Sequence, residues 1–147
     1  MSRAKVEQLL GEPDGRTILD GTPDEPGHIY YSRYEFFFEN GILDAMQNDN
    51  VFPKWPEFVR YESKVFRVEP WILEVSPKPN LAQTRILLSQ EKIPFKQIDD
   101  YHGGPALRLE SGVVLDFDGW IDFEDNEEAE PPLDEREFLG VRYFPNR

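Results

Sequence analysis

The sequence has no cysteine and only two histidines, His28 and His102. Without cysteine there can be no disulfide framework, no thiolate metal site and no cysteine nucleophile. No stretch approaches the roughly 18 consecutive apolar residues a membrane-spanning helix needs. Residues 1–15, MSRAKVEQLLGEPDG, lack the apolar centre of a secretory signal. The expectation is a soluble protein of the cytoplasm. There is also no glycine-rich phosphate loop, no Gly-x-Ser-x-Gly and no His-Glu-x-x-His. His102, beside Asp99 and Asp100, is a candidate general base, but both histidines sit in Gly/Pro-rich surroundings that read as turns. No active site assembles from these residues, so no enzyme, cofactor or metal ion is expected.

Apolar residues and aromatics are plentiful. At 39% hydrophobic and 14% aromatic, the 147 residues are too apolar for a disordered chain and are enough to bury one domain's core. Residues 106–123, ALRLESGVVLDFDGWIDF, organise the rest. The runs 106–110, 113–117 and 120–123 are β-branched and aromatic, and Ser111-Gly112 and Asp118-Gly119 between them supply the positive φ of tight turns. This predicts a three-stranded antiparallel meander.

Ser2 is placed to cap a short helix with Val6, Leu9 and Leu10 on one face, stopped by Gly11 and Pro13. Residues 12–28, rich in glycine and proline, predict loop. Residues 29–39, IYYSRYEFFFE, predict one strand so dense in aromatics that part of it must be covered on both faces. Asn40-Gly41 predicts a hairpin returning through residues 42–47. Residues 51–60, with Pro53, Trp55 and Pro56, predict irregular chain, and VFRV and WILEV within 61–76 predict strand pieces broken by Pro70. Asn80 with Gln83 resembles a capping box opening a helix over 81–91, with Leu81, Arg85 and Leu88 on one stripe. Residues 93–98 and 138–144 predict further strands, and 101–105 a turn.

The turns Glu39-Asn40-Gly41-Ile42 and Glu110-Ser111-Gly112-Val113 share a pattern, each following a helix and a proline-containing loop. The fold expectation is therefore α+β: a single domain, 1–147, of two helix-plus-β-hairpin halves forming antiparallel sheet. An internal repeat relates residues 1–60 to 80–123, and an acidic loop lies near the C-terminus.

Charge is the other strong signal. The formal net charge is −13, and residues 116–137 hold eleven acidic side chains against one basic, Arg136, a net of −10 in 22 positions. Such a field repels nucleic acid and anionic membranes and attracts a basic partner. The alternative is a solubilising acidic loop on a regulatory or adaptor protein. Asp116 and Asp118, in VVLDFDG, resemble the first motif of haloacid-dehalogenase phosphohydrolases. However, no lysine follows and no βαβ pattern surrounds them. An EF-hand register starting at Asp116 fails because positions five and six fall on Trp120 and Ile121.

LLGEPDG with EFFFENGILDAM resembles SmpA/BamE-like and β-lactamase-inhibitor-like helix-plus-hairpin repeats. TRILLSQEKIPFKQI followed by LRLESGVVLDFDG resembles the hairpin module of small bacterial immunity proteins from toxin systems. That resemblance implies an antitoxin that binds a toxin domain, such as a basic nuclease, by protein–protein contact. On that reading the acidic run itself supplies the partner-binding residues Asp122, Glu124, Asp125, Glu127, Glu128 and Glu130, with Trp120, directly before it, as the apolar anchor at the rim.

Overall fold

The computed structural model describes residues 1–17, 27–48, 60–65, 67–68, 77–99, 104–117 and 131–145. The chain divides into two compact units, residues 1–70 with 142–147, and residues 71–141.

In the first unit, helix α1 (Arg3–Leu10) begins at Ser2, whose side chain accepts from the Lys5 amide. It ends at Gly11, where φ is +89°. Val6 is buried, whereas Leu9 is half exposed, so the helix buries a narrower stripe than its sequence predicts. Strands β1 (Gly15–Thr17), β2 (His28–Tyr31), β3 (Tyr34–Glu39) and β4 (Ile42–Asn48) pair antiparallel in chain order. Two short strands, β5 (Tyr61–Glu62) and β6 (Arg67–Val68), form a separate ribbon.

The single strand expected over 29–39 is two strands. Ser32 takes φ +54°, and Tyr31 faces Tyr34 across a two-residue turn. This turn resolves the crowding of aromatics. Ile29, Tyr31, Tyr34, Phe36 and Phe38 are buried, and the pairings Ile29–Phe36, Tyr31–Tyr34 and Phe38–Leu43 put them on one face. Tyr30 and Phe37 fall on the other. Asp44 is an extra residue in β4, a bulge that restores this alternation between Phe37 and Phe38. Asn40 and Gly41 take φ +49° and +73°, the turn the sequence predicts. β1 lies within the stretch expected to be loop. Its Gly15 is opposite Tyr30, whose ring occupies the space a Cβ would need.

In the second unit, α2 (Leu81–Gln90) carries the predicted capping box. The Gln83 amide donates to Asn80 Oδ1 at 2.8 Å, and the Asn80 amide donates to Gln83 Oε1 at 3.0 Å. Leu81, Thr84 and Leu88 are its buried stripe, with Arg85 at the margin. Strands β7 (Phe95–Asp99), β8 (Pro105–Leu109) and β9 (Val113–Phe117) form a meander. Gly112, at φ +87°, closes the β8–β9 turn. A 3₁₀ turn, Leu133–Glu135, precedes β10 (Phe138–Tyr143). The strand expected at 120–123, the irregular chain at 51–59, the WILEV strand and the turn at 101–103 lie outside the described residues.

The fold expectation needs correction. Each unit is built on antiparallel sheet, with the strand order β1-β2-β3-β4 in the first and β10-β9-β8-β7 in the second, and each carries one short helix, of eight and ten residues. The protein is mostly β, not two helix-plus-hairpin halves. The extra turn at Ser32 and the extra strand at Gly15–Thr17 give the first unit four strands to one short helix. No described helix is long and apolar enough to cross a membrane.

Candidate functional site

The partner-binding residues Trp120, Asp122, Glu124, Asp125, Glu127, Glu128 and Glu130 lie outside the described residues, as do Asp118 and His102. What is described is the root from which that acidic stretch departs and to which it returns. Phe117, the last residue of β9, and Phe138, the first of β10, are both fully buried. Their rings meet edge to face, with centroids 5.9 Å apart.

The returning chain is tied to the start of α2. The Leu81 amide donates to the Arg136 carbonyl and the Phe138 amide to the Pro79 carbonyl, both at 2.9 Å. Lys78 Nζ pairs with Glu137 at 2.8 Å, and Arg85 pairs with Asp134 while also donating to Gln97 Oε1 at 3.1 Å. Two of the eleven carboxylates are therefore neutralised within the fold. A third, Asp116, is buried in β9 opposite Ala106, so it is part of the sheet interior. Glu135 is exposed.

His28 does not sit in a turn. It is the first residue of β2 and is buried, its ring stacked on Phe37 with centroids 4.7 Å apart and planes 6° apart. Its Nδ1 shares a 2.9 Å hydrogen bond with Thr17 Oγ1 of β1. Its Nε2 faces Glu35 Oε1 of β3 at 3.5 Å, an ion-pair separation longer than a normal hydrogen bond. Glu35 Oε2 accepts from Gln47 Nε2 of β4 at 2.9 Å. A polar chain thus crosses four strands on the face opposite Ile29, Phe36 and Phe38. The sequence carries a faint trace of it: His28 and Glu35 flank a two-residue turn at positions that the β2–β3 register makes diagonal neighbours.

Comparison with family models, with curated proteins and with solved structures returns no match for this chain.

Proposed function

We propose that this chain is a bacterial immunity (antitoxin) protein of the cytoplasm that binds a basic toxin domain, such as a nuclease, and blocks it without catalysis. The observation that carries the reading is the concentration of charge, a net of −10 over residues 116–137. The described root supports it. Asp134 and Glu137, whose charges are spent on Arg85 and Lys78, lie beside the helix, and eight further acidic residues fall in the sequence between Phe117 and Phe138. A surface of this sign steers a basic partner and pairs with the lysines and arginines that otherwise hold phosphates. Trp120 supplies the buried contact.

The test replaces Glu124, Asp125, Glu127 and Glu128 together by Gln or Asn. Binding to a basic nuclease domain encoded beside this gene is then measured against salt. Association should slow about tenfold or more at low ionic strength, with a shallower salt dependence, because charges separated by more than about 8–10 Å are screened. Unchanged affinity and salt slope, with the fold intact, would leave the segment as the solubilising loop of an adaptor protein.

A further inference from the structure

In the second unit, β7 is paired on one side only among the described residues. Its register with β8 decides which backbone groups are left over. The Glu110 amide donates to the Pro94 carbonyl, so Lys96 and Ile98, at the same alternation, turn their backbone groups toward β8. The N–H and C=O groups of Phe95, Gln97 and Asp99 point outward, where one more strand could pair.

The side chains at this edge sort by face. Gln97 accepts from Arg85 Nη1 at 3.1 Å, which puts Phe95, Gln97 and Asp99 on the side that α2 covers. Arg85 also borders a shallow depression on α2, lined by Ala82, Ile86, Ser89 and Gln90, in which Ile86 is 57% exposed. On the opposite side, Lys96 stands directly across from Arg108. Both are exposed, and neither has an ion-pair or hydrogen-bond partner among the described residues, although Glu110 lies two positions beyond Arg108. Like charges directly opposite each other destabilise a sheet. The chain has 29 acidic residues and 16 basic ones, so two unpaired cations side by side stand out against its composition.

We propose that the β7 edge binds an extended segment of a partner protein, in which acidic and apolar residues alternate, as an added strand. Backbone hydrogen bonds to Phe95, Gln97 and Asp99 hold the segment. Its residue opposite Lys96 falls on the cationic side, in a pair without hydrogen bonds across the edge, where side chains approach most closely. A carboxylate there neutralises Lys96 and Arg108 together. The residues before and after it fall on the α2 side and bring apolar side chains toward Ile86. The net charge of −13 repels such a segment at long range, so the contact depends on local pairing and not on steering. This inference is independent of the acidic run and its basic partner.

The probe is an end-blocked peptide, Val-Glu-Val-Glu-Val, with Val-Lys-Val-Lys-Val as its control. Added to the ¹⁵N-labelled full chain, the acidic peptide should slow hydrogen exchange at the Phe95, Gln97 and Asp99 amides and leave Lys96 and Ile98, already bonded to β8, unchanged. Lys96→Glu with Arg108→Glu, both at exposed positions, should weaken the acidic peptide about tenfold or more and favour the basic one. Gln97→Pro removes one outward N–H at an edge position that tolerates proline, and should weaken both peptides. Equal protection of the three amides by the basic peptide on the wild type would overturn the proposal. A dimer that protects them without peptide would also overturn it, by making a second copy the occupant. Absence of protection, or equal binding by the charge-reversed variant, would leave Lys96 as a charge that keeps the edge from pairing.

Discussion

Tyr31 and Tyr34 face each other across the Ser32–Arg33 turn, and both are buried. The Tyr31 hydroxyl donates to the Gly11 carbonyl at 2.8 Å, so one side chain caps α1 and closes a hairpin together. Burial pushes both phenols up to about 12, with Glu7 adding to the rise at Tyr31 and a hydrogen bond from Asn48 opposing it at Tyr34. The folded values lie above the unfolded value of about 10. Their contribution is therefore fully present below pH 10 and is lost as the pH rises through about 12. Tyrosinate absorbance should show at least two of the six tyrosines ionising only together with loss of far-ultraviolet dichroism. Ionisation of all six well before unfolding would contradict the burial.

At the scale of single elements, α2 shows how a helix is bounded by its ends. Asn80 and Gln83 satisfy each other's amides at the start. At the other end the Ile93 amide reaches the Leu88 carbonyl at 2.9 Å and the Lys92 amide the Ser89 carbonyl at 3.1 Å, with Lys92 at φ +57°. This is the double hydrogen-bonded ending that normally carries glycine, here with a side chain that strains it. Lys92→Gly should stabilise the protein by about 0.5–1 kcal/mol, and Asn80→Ala should destabilise it by about 1 kcal/mol. Urea unfolding measures both, and a Lys92→Gly variant no more stable than wild type would mean that the strain is relieved elsewhere.

The same contrast explains what could be read in advance. The Asn80–Gln83 box, the Ser2 cap and the Asn40-Gly41 and Ser111-Gly112 turns are written in residue types with specific local preferences. Ser32-Arg33 is a two-residue turn without glycine, asparagine or proline, so nothing local marks it, and residues 29–39 read as one strand. β1 is three residues inside a Gly/Pro-rich stretch, held by pairing with β2 and by the Asp14 amide bonded to the Tyr30 carbonyl at 2.9 Å.

For the whole molecule, charge was legible and topology was not. A net of −13, concentrated after β9, follows from counting side chains. Which of those carboxylates remain free to meet a partner does not. Asp116 is enclosed in the sheet, Asp134 is held by Arg85, and Glu137 is held by Lys78. His28 was hard to place for the same reason. Its glycine neighbour makes it look like a turn residue, and its partners Thr17 and Glu35 reach it only through strand pairing. The insertion of β10 beside β9 in the strand order likewise leaves no local pattern, since the two are separated by 20 residues in sequence.

That separation also has a consequence in time. The β8–β9 hairpin closes over three residues, whereas Phe138 can reach Phe117 only after a 20-residue excursion is closed. Closing a chain of that length costs conformational entropy that the hairpin avoids. Formation of the second unit should therefore begin in the meander, with β10 added after the rate-limiting barrier. In stopped-flow experiments, Leu115→Ala should slow folding, while Phe138→Leu should leave the folding rate nearly unchanged and speed unfolding. The reverse pattern would mean that the aromatic pair forms before the hairpin and that the acidic excursion closes first.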